Sequence, residues 1–285
     1  MPSASLTIKR LRSRFDKWAR SSFKEFLINV IRQGPVPEHM AFIMDGNRRF
    51  AKQHRMPIAK AHYQGALSLI HIIEDSAKCG VAEVTVYAFS IENLKRTQEQ
   101  LRILFELFRT PVEEFEPAAG QGNMRQRRIR ILGRLDLLPE DVRRNLQAEV
   151  ENTKNNTGIV LNVCIAYTSR DEITTAIRRT VEGSQAGKAI TQTSLTENMF
   201  TTDSPPLDLL VRTSGVRRLS DFLLWQCHQD TEIQVVDTLW PSFSMWHLFW
   251  ILLKWQRTQN DNIPDQSFAA INTDYDGHTT AVRAH

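Results

Sequence analysis

The sequence has little of what announces several common protein classes. It contains 3 cysteines in 285 residues, Cys79, Cys164 and Cys227, an odd number with no short spacing. Neither a disulfide framework nor a cysteine-ligated zinc site is suggested, and a reducing, cytosol-facing compartment is the expectation. No apolar run reaches the roughly 18 to 20 residues of a membrane span, and the N-terminus lacks the apolar core of a signal peptide, so the chain should be soluble or peripheral. There is no Gly-x-x-x-x-Gly-Lys phosphate loop, no Gly-x-Gly-x-x-Gly after the first apolar run and no Gly-x-Ser-x-Gly elbow, which removes the motif-based arguments for nucleotide binding and serine hydrolysis. No internal repeat is found. Neither sign of charge dominates: the net charge of +4 favours anionic partners without choosing among them.

With 41% hydrophobic and 24% charged residues, the chain can bury a substantial core. Residues 1–33 read as a basic amphipathic helix. Leu11, Phe15, Trp18, Phe26 and Val30 recur near the helical period among Lys9, Arg10, Arg12, Arg14, Lys17 and Arg20, a pattern that suits either an anionic membrane surface or ordinary packing. Gly34, Pro35 and Pro37 end it. Residues 34–257 then alternate between strand-like and helix-like segments. Strands are expected at Met40–Met44, Glu83–Phe89, Arg128–Gly133, Ile159–Ala166, Leu207–Val211 and Glu232–Val236. Helices are expected after Phe50, over Tyr63–Lys78, along the Leu101–Phe115 stripe, and at Pro139–Asn152, Arg170–Val181, Leu195–Phe200, Leu219–Gln226 and Ser242–Trp255, with Ser169 as a cap. Residues 258–285 are polar with few apolar anchors and read as a mobile tail. Such alternation implies a single α/β domain with a mostly parallel six-stranded central sheet flanked by helices.

Three of these strands end in polar clusters, and in a parallel sheet their carboxyl ends share one edge. After Met44 come Asp45, Gly46, Asn47, Arg48 and Arg49; after Phe89 come Ser90, Glu92, Asn93 and Arg96; after Val211 come Arg212, Arg218 and Ser220. Gly46 lets the backbone approach a ligand, Asn47 can cap the next helix, and the first-turn N–H groups with the arginines make an anion site. The surplus of arginine over carboxylate fits two phosphorylated groups better than one. His62 could reach a diphosphate, and Asp45 suits a divalent metal.

The segments Met44-Asp45-Gly46-Asn47-Arg48-Arg49, Tyr87-Ala88-Phe89-Ser90-Ile91-Glu92-Asn93, Arg212-Thr213-Ser214-Gly215 running into Arg218-Leu219-Ser220-Asp221-Phe222-Leu223-Leu224-Trp225-Gln226, and Leu239-Trp240-Pro241 resemble the signatures of the cis-prenyltransferases. This is the family of undecaprenyl and dehydrodolichyl diphosphate synthases. The likeness runs from about His39 to Trp255 in the family's order and spacing, and is strongest to the eukaryotic, especially fungal, members.

The resemblance implies head-to-tail condensation of isopentenyl diphosphate onto an allylic diphosphate such as farnesyl diphosphate, with each new double bond cis and Mg2+ required. By position, Asp45 would hold magnesium and assist ionisation. Gly46, Asn47, Arg48, Arg49 and His62, with Arg96 nearby, would bind the allylic diphosphate; Arg212, Arg218 and Ser220 would bind isopentenyl diphosphate. Asn93 and Ser90 would lie near the condensing carbons, and Glu232 would be a second metal ligand. An apolar tunnel between sheet and helices should house the growing chain, walled by the Leu101–Phe115 stripe and by Leu67, Ile70 and Ile73.

The chain also departs from the family pattern. Ile58 stands where relatives often carry an arginine, with Lys60 as a substitute cation; Ala61 precedes His62 in place of glycine; Val216 replaces an acid of the bacterial members. No Arg-x-Gly follows Trp255. In homodimeric relatives that motif completes the site, and in eukaryotic systems a Nogo-B-receptor-like accessory subunit supplies it, so a hetero-oligomer is expected. Peripheral association with the cytosolic face of the endoplasmic reticulum, or with lipid droplets, follows from the same likeness. The rival within the fold, a non-catalytic partner subunit, would lose the Asp-Gly-Asn-Arg cluster, which is intact here. Nucleic-acid binding through the basic N-terminus and the Arg125–Arg130 run has no aromatic platform to support it and is not expected.

Overall fold

The computed structural model describes residues 22–111, 126–183, 189–228 and 230–261. Six strands form one sheet in the order β3-β4-β2-β1-β5-β6: β1 His39–Ile43, β2 Glu83–Ser90, β3 Arg128–Leu132, β4 Val160–Tyr167, β5 Leu209–Arg212 and β6 Glu232–Val235. Every pairing is parallel, so the sheet is wholly rather than mostly parallel. Central β1 is buried on both faces. Met40 and Phe42 enter one core cluster and Ala41 and Ile43 another, which is why its sequence reads as a continuous apolar run instead of an alternation.

The helices are α1 at 22–31, α2 Asn47–Gln53, α3 Ile58–Cys79, α4 Gln98–Arg109, α5 Glu140–Thr153, α6 Ser169–Gly183, α7 Gln192–Thr196 and α8 Met245–Asp261. Leu27 and Ile31 of α1, Ile72 and Ile73 of α3, and Leu248 and Leu252 of α8 pack on Phe42, Val84 and Val211. Each such burial contributes about 1.5–3 kcal/mol. Leu101, Leu104 and Phe105 of α4, with Val142 and Leu146 of α5, close around Phe89 and Ile165.

Several expectations change. Leu219–Gln226 has an apolar spacing that mimics a helix, yet it forms bends and turns. Positive φ at Ser220, Asp221 and Leu223 breaks the helical path, and the backbone bonds instead to the start of α6, as in Ser169 N–H to the Asp221 carbonyl at 2.8 Å. Gly46, not Asn47, is the N-cap of α2; the Asn47 amide turns back to the Met44 carbonyl at 3.4 Å. Ser169 is the first residue of α6, and the Thr168 hydroxyl accepts from the Asp171 N–H in its place. The short helix expected at Leu195–Phe200 lies earlier, and α8 continues to Asp261. In α1 the buried face is Leu27, Ile28 and Ile31, whereas Phe26 and Val30 are exposed. Residues 1–21 with their cations, Val112, Phe115, Arg125 and residues 262–285 lie outside the described residues.

Candidate active site

The polar turns after β1, β2 and β5 converge at the carboxyl edge of the sheet because those strands are neighbours, with Ile43 in register with Arg212. Thr213 fixes the first turn: its hydroxyl accepts from the Asp45 N–H (2.9 Å) and donates to the Asp45 carbonyl (2.8 Å). The Trp240 N–H donates to the same carbonyl at 3.0 Å. Gly46 has φ 111°, and a Cβ there would lie 2.9 Å from Leu239 Cδ2 and 3.1 Å from Leu239 Cα, so only glycine is accommodated.

Arg212 is the centre of the arrangement. It is 3% exposed. Its Nη2 donates to Asp45 Oδ2 at 2.9 Å, while Nη1 donates to Ser220 Oγ at 2.7 Å and to the Arg218 carbonyl. The Gly46 N–H donates to Asp45 Oδ1 at 2.7 Å. Burial raises the Asp45 carboxyl, but the hydrogen bond and charge of Arg212, with the Gly46 N–H, more than offset this and hold it below the usual carboxylate range. Arg49 donates to the Ser214 carbonyl at 3.0 Å and lies 3.9 Å from Asp45. Among the described residues, no carboxylate lies within ion-pair distance of Arg48, Arg96 or Arg218. Burial, then repulsion from Arg96 and Arg48, pushes the His62 imidazole down to about 4. It is therefore neutral at physiological pH and can donate from one ring nitrogen.

Ser90 and Asn93 form a reciprocal pair at the start of a short 3-10 helix, Ile91–Lys95. Each side chain accepts from the other's backbone N–H at 3.2 Å, which engages the Asn93 oxygen and leaves its NH2 group. Burial pushes the thiols of Cys79 and Cys227 up to about 12, and that of Cys164 well above its ordinary value, so none is a nucleophile.

A cavity of about 850 Å³ opens from this edge. Asp45, Gly46, Asn47, Arg48, Arg49, His62, Ser90, Asn93, Arg96, Arg212, Arg218 and Ser220 all line it. Glu232 does not. It begins β6 opposite Leu209, at the amino end of the strand, while Val235 is the residue level with Arg212; at about 3.3 Å per residue that is roughly 10 Å away along the sheet. Within this chain it is thus not brought to Asp45, and its Oε1 accepts from Gln234 instead.

Below the polar mouth the walls are mostly apolar, with Thr110, Asn145 and Glu149 among them. Leu104, Leu107 and Phe108 of α4, Leu146 of α5, Ala66, Leu69 and Ile70 of α3, and Ile129, Ile131, Leu161, Val163 and Ile165 of the sheet form the tunnel. Of the expected walls, Leu67, Ile73, Leu101 and Phe105 pack in the core instead. Lys60 does not line the cavity, but Lys52 does. Sequence reasoning missed Lys52, although its spacing from Arg48 and Arg49 on one helix face signals it. Thr213 was missed as a brace, and no local pattern could have shown it.

A mouth with two groups of cations, opening into an apolar tunnel, defines a protein for ligands with an anionic head and a long hydrocarbon tail. Residues 43–262 match the prenyltransferase family described by undecaprenyl diphosphate synthase. A dehydrodolichyl diphosphate synthase complex subunit from Schizosaccharomyces pombe is 41% identical over 244 residues, covering 84% of this chain and 92% of the relative. The corresponding Homo sapiens subunit is 42% identical over 245 residues, covering 83% and 72%. The crystal structure of lavandulyl diphosphate synthase from Lavandula x intermedia, in complex with dimethylallyl diphosphate, superposes with a TM-score of 0.71 at 25% identity, covering 78% of this chain and 95% of that one. The chain belongs to the undecaprenyl diphosphate synthase family of prenyltransferases, and it is a cis-prenyltransferase.

Proposed function

We propose that this chain condenses isopentenyl diphosphate units onto farnesyl diphosphate to build dehydrodolichyl diphosphate, the long-chain precursor of dolichol used in protein glycosylation. The observation that carries this reading is the Arg212 bridge, which ties Asp45 in one anion-binding group to Ser220 in the other. Two diphosphates held on either side of that bridge have their prenyl carbons beside Ser90 and Asn93. Arg48, Arg49 and neutral His62 hold the allylic diphosphate, with Arg96 adding charge; Arg212, Arg218 and Ser220 hold isopentenyl diphosphate. The allylic C1–O bond breaks and diphosphate departs. The terminal alkene carbon of isopentenyl diphosphate bonds to C1, and the departed diphosphate takes the proton from its C2 as the new double bond forms. Fixed cations aimed at the departing diphosphate lower the barrier because they need no reorganisation as its charge develops. The tunnel excludes water from the ionised allyl group and receives the lengthening tail.

Magnesium fits the residues present. Among the described residues no group of three or more His, Cys, Asp or Glu could cage a metal, and Asp45 is the carboxylate at the mouth; one carboxylate with substrate phosphates is the donor set Mg2+ takes. Asp45 would hold it, and bound there it would neutralise charge on the departing diphosphate.

We further propose an accessory subunit, of the Nogo-B-receptor-like kind, in keeping with relatives described as complex subunits. Residence at the cytosolic face of the endoplasmic reticulum or at lipid droplets is supported by exposed Phe23, Phe26, Trp246 and Trp250, since aromatic side chains favour the interface between lipid and water. No described helix is long and apolar enough to cross a membrane. Incorporation of labelled isopentenyl diphosphate into extractable lipid tests the function: Asp45→Ala should lose about 100-fold or more of the rate, and an undiminished rate refutes its role.

A further inference from the structure

The segment after β5 carries a high density of left-handed backbone. Ser214, Gly215, Ser220, Asp221 and Leu223 have φ of 78°, 71°, 52°, 62° and 47°. Conformations of this kind persist only where the surroundings over-determine them. Here the surroundings are the first residues of α6. The Ser169 N–H donates to the Asp221 carbonyl (2.8 Å), and the Ser169 hydroxyl accepts from the Leu224 N–H (2.8 Å). The Asp221 carboxylate accepts from the Arg170 backbone N–H (3.1 Å) and from Arg170 Nε (2.7 Å), a charge-assisted pair at the helix end that favours an anion.

Between these ties, Phe222 is fully buried and stacks on Tyr87, with centroids 4.5 Å apart and rings 12° from parallel. The Tyr87 hydroxyl lies 3.1 Å from the Tyr167 carbonyl and 3.3 Å from that of Ser220. The backbone of the curl is thus gripped from the α6 side. On the opposite side, Ser220 Oγ accepts from Arg212 Nη1 (2.7 Å) and Arg218 Nε (3.3 Å). Arg48 and His62 have no hydrogen bond to this segment among the described residues, and Arg49 and Asp45 reach only its beginning, at the Ser214 carbonyl and the Thr213 hydroxyl.

We propose that Ser169 and Asp221 are positioning residues for one of the two subsites: the start of α6 fixes the curl that presents Arg218 and Ser220 to isopentenyl diphosphate, and leaves the allylic subsite unaffected. The proposal rests on the assignment of Arg212, Arg218 and Ser220 made above. Ser169→Ala removes the acceptor for the Leu224 N–H. Asp221→Asn keeps a side chain that tolerates left-handed backbone while weakening the tie to Arg170. The full-length chain, with its accessory subunit where turnover requires one, is assayed with each substrate varied in turn. For both variants, KM for isopentenyl diphosphate should rise about tenfold while KM for farnesyl diphosphate stays near wild type, and the thermal midpoint should fall by only a few °C, as the loss of one buried hydrogen bond implies. Equal rises in both KM values, or no rise in either, overturn the proposal by showing a merely structural role or none. Arg218→Ala in the same assay separates the failures: if it does not raise KM for isopentenyl diphosphate, the subsite assignment itself is wrong; if it does and Ser169→Ala does not, only the positioning role falls.

Discussion

Replacing Arg212 with lysine isolates what a guanidinium does that a charge alone cannot. Arg212 is buried, and its two terminal nitrogens serve different partners, Asp45 Oδ2 at 2.9 Å and Ser220 Oγ at 2.7 Å. A lysine ammonium is a single point charge on a flexible stem and cannot reproduce that fork. Arg212→Lys therefore keeps the net charge but breaks the bridge between the two anion-binding groups. One hydrogen bond to a charged group is worth about 1.5–3 kcal/mol, so kcat/KM should fall about 10- to 100-fold at 1.36 kcal/mol per factor of ten. Steady-state kinetics with each diphosphate varied in turn measures the loss. Ser220→Ala added to Arg212→Lys should cost less than it does alone, because the two share the interaction being removed. An Arg212→Lys enzyme with kcat/KM indistinguishable from wild type, or full additivity with Ser220→Ala, would refute the idea that the bridge organises the site.

Other expectations concern charge, packing and tunnel shape. The His62 imidazole should titrate near about 4 in the free protein, and a diphosphate seated between Arg48 and Arg96 should raise it. The bound state then holds more protons, so allylic diphosphate binding tightens as pH falls toward the bound-state value; histidine NMR signals unmoved by ligand would contradict this. By the same linkage, the free protein loses stability as pH falls from the ordinary histidine range toward 4, because the unfolded chain takes up a proton that the folded site rejects. Gly65→Ala places a Cβ 2.5 Å from Asn47 Oδ1 and 3.2 Å from Trp240 Cδ1; overpacking of about 1–3 kcal/mol is offset by about 0.5–1 kcal/mol of helix propensity gained inside α3, and the net cost is read as a melting temperature lowered by about 2–4 °C per kcal/mol. Leu107→Trp narrows the tunnel wall and should shorten the product while sparing the first condensation, as chromatography of the extracted lipid will show.

The central strands were legible because parallel strands buried on both faces, such as β1 and β5, leave continuous apolar runs, and the clusters after Met44, Phe89 and Val211 were legible because each ends such a run. What could not be read was pairing over long separations. Asp45 and Arg212 are 167 residues apart, and only the adjacency of β1 and β5 makes them partners. The Leu219–Gln226 error has the same origin: Leu219, Phe222, Leu223 and Gln226 have helical spacing, but Tyr87, Ser169 and Arg170, distant in sequence, take the backbone and side-chain bonds a helix would need. Caps failed more narrowly. Thr168 and Ser169 are chemically equivalent candidates, and the choice followed from Ser169 being claimed by Leu224. Glu232 lies at the amino end of β6, which its position relative to Asp237 does not reveal.

The central claim is that one site joins two diphosphate substrates and feeds the product into the tunnel. The most direct measurement supplies farnesyl diphosphate, labelled isopentenyl diphosphate and magnesium to the chain with its accessory subunit, and examines the extracted lipid by mass and by NMR of its double bonds. The account predicts a polyprenyl diphosphate many isoprene units long, in which every added double bond is cis and whose formation requires both substrates. Label that never enters lipid, or a product with trans additions, would contradict it.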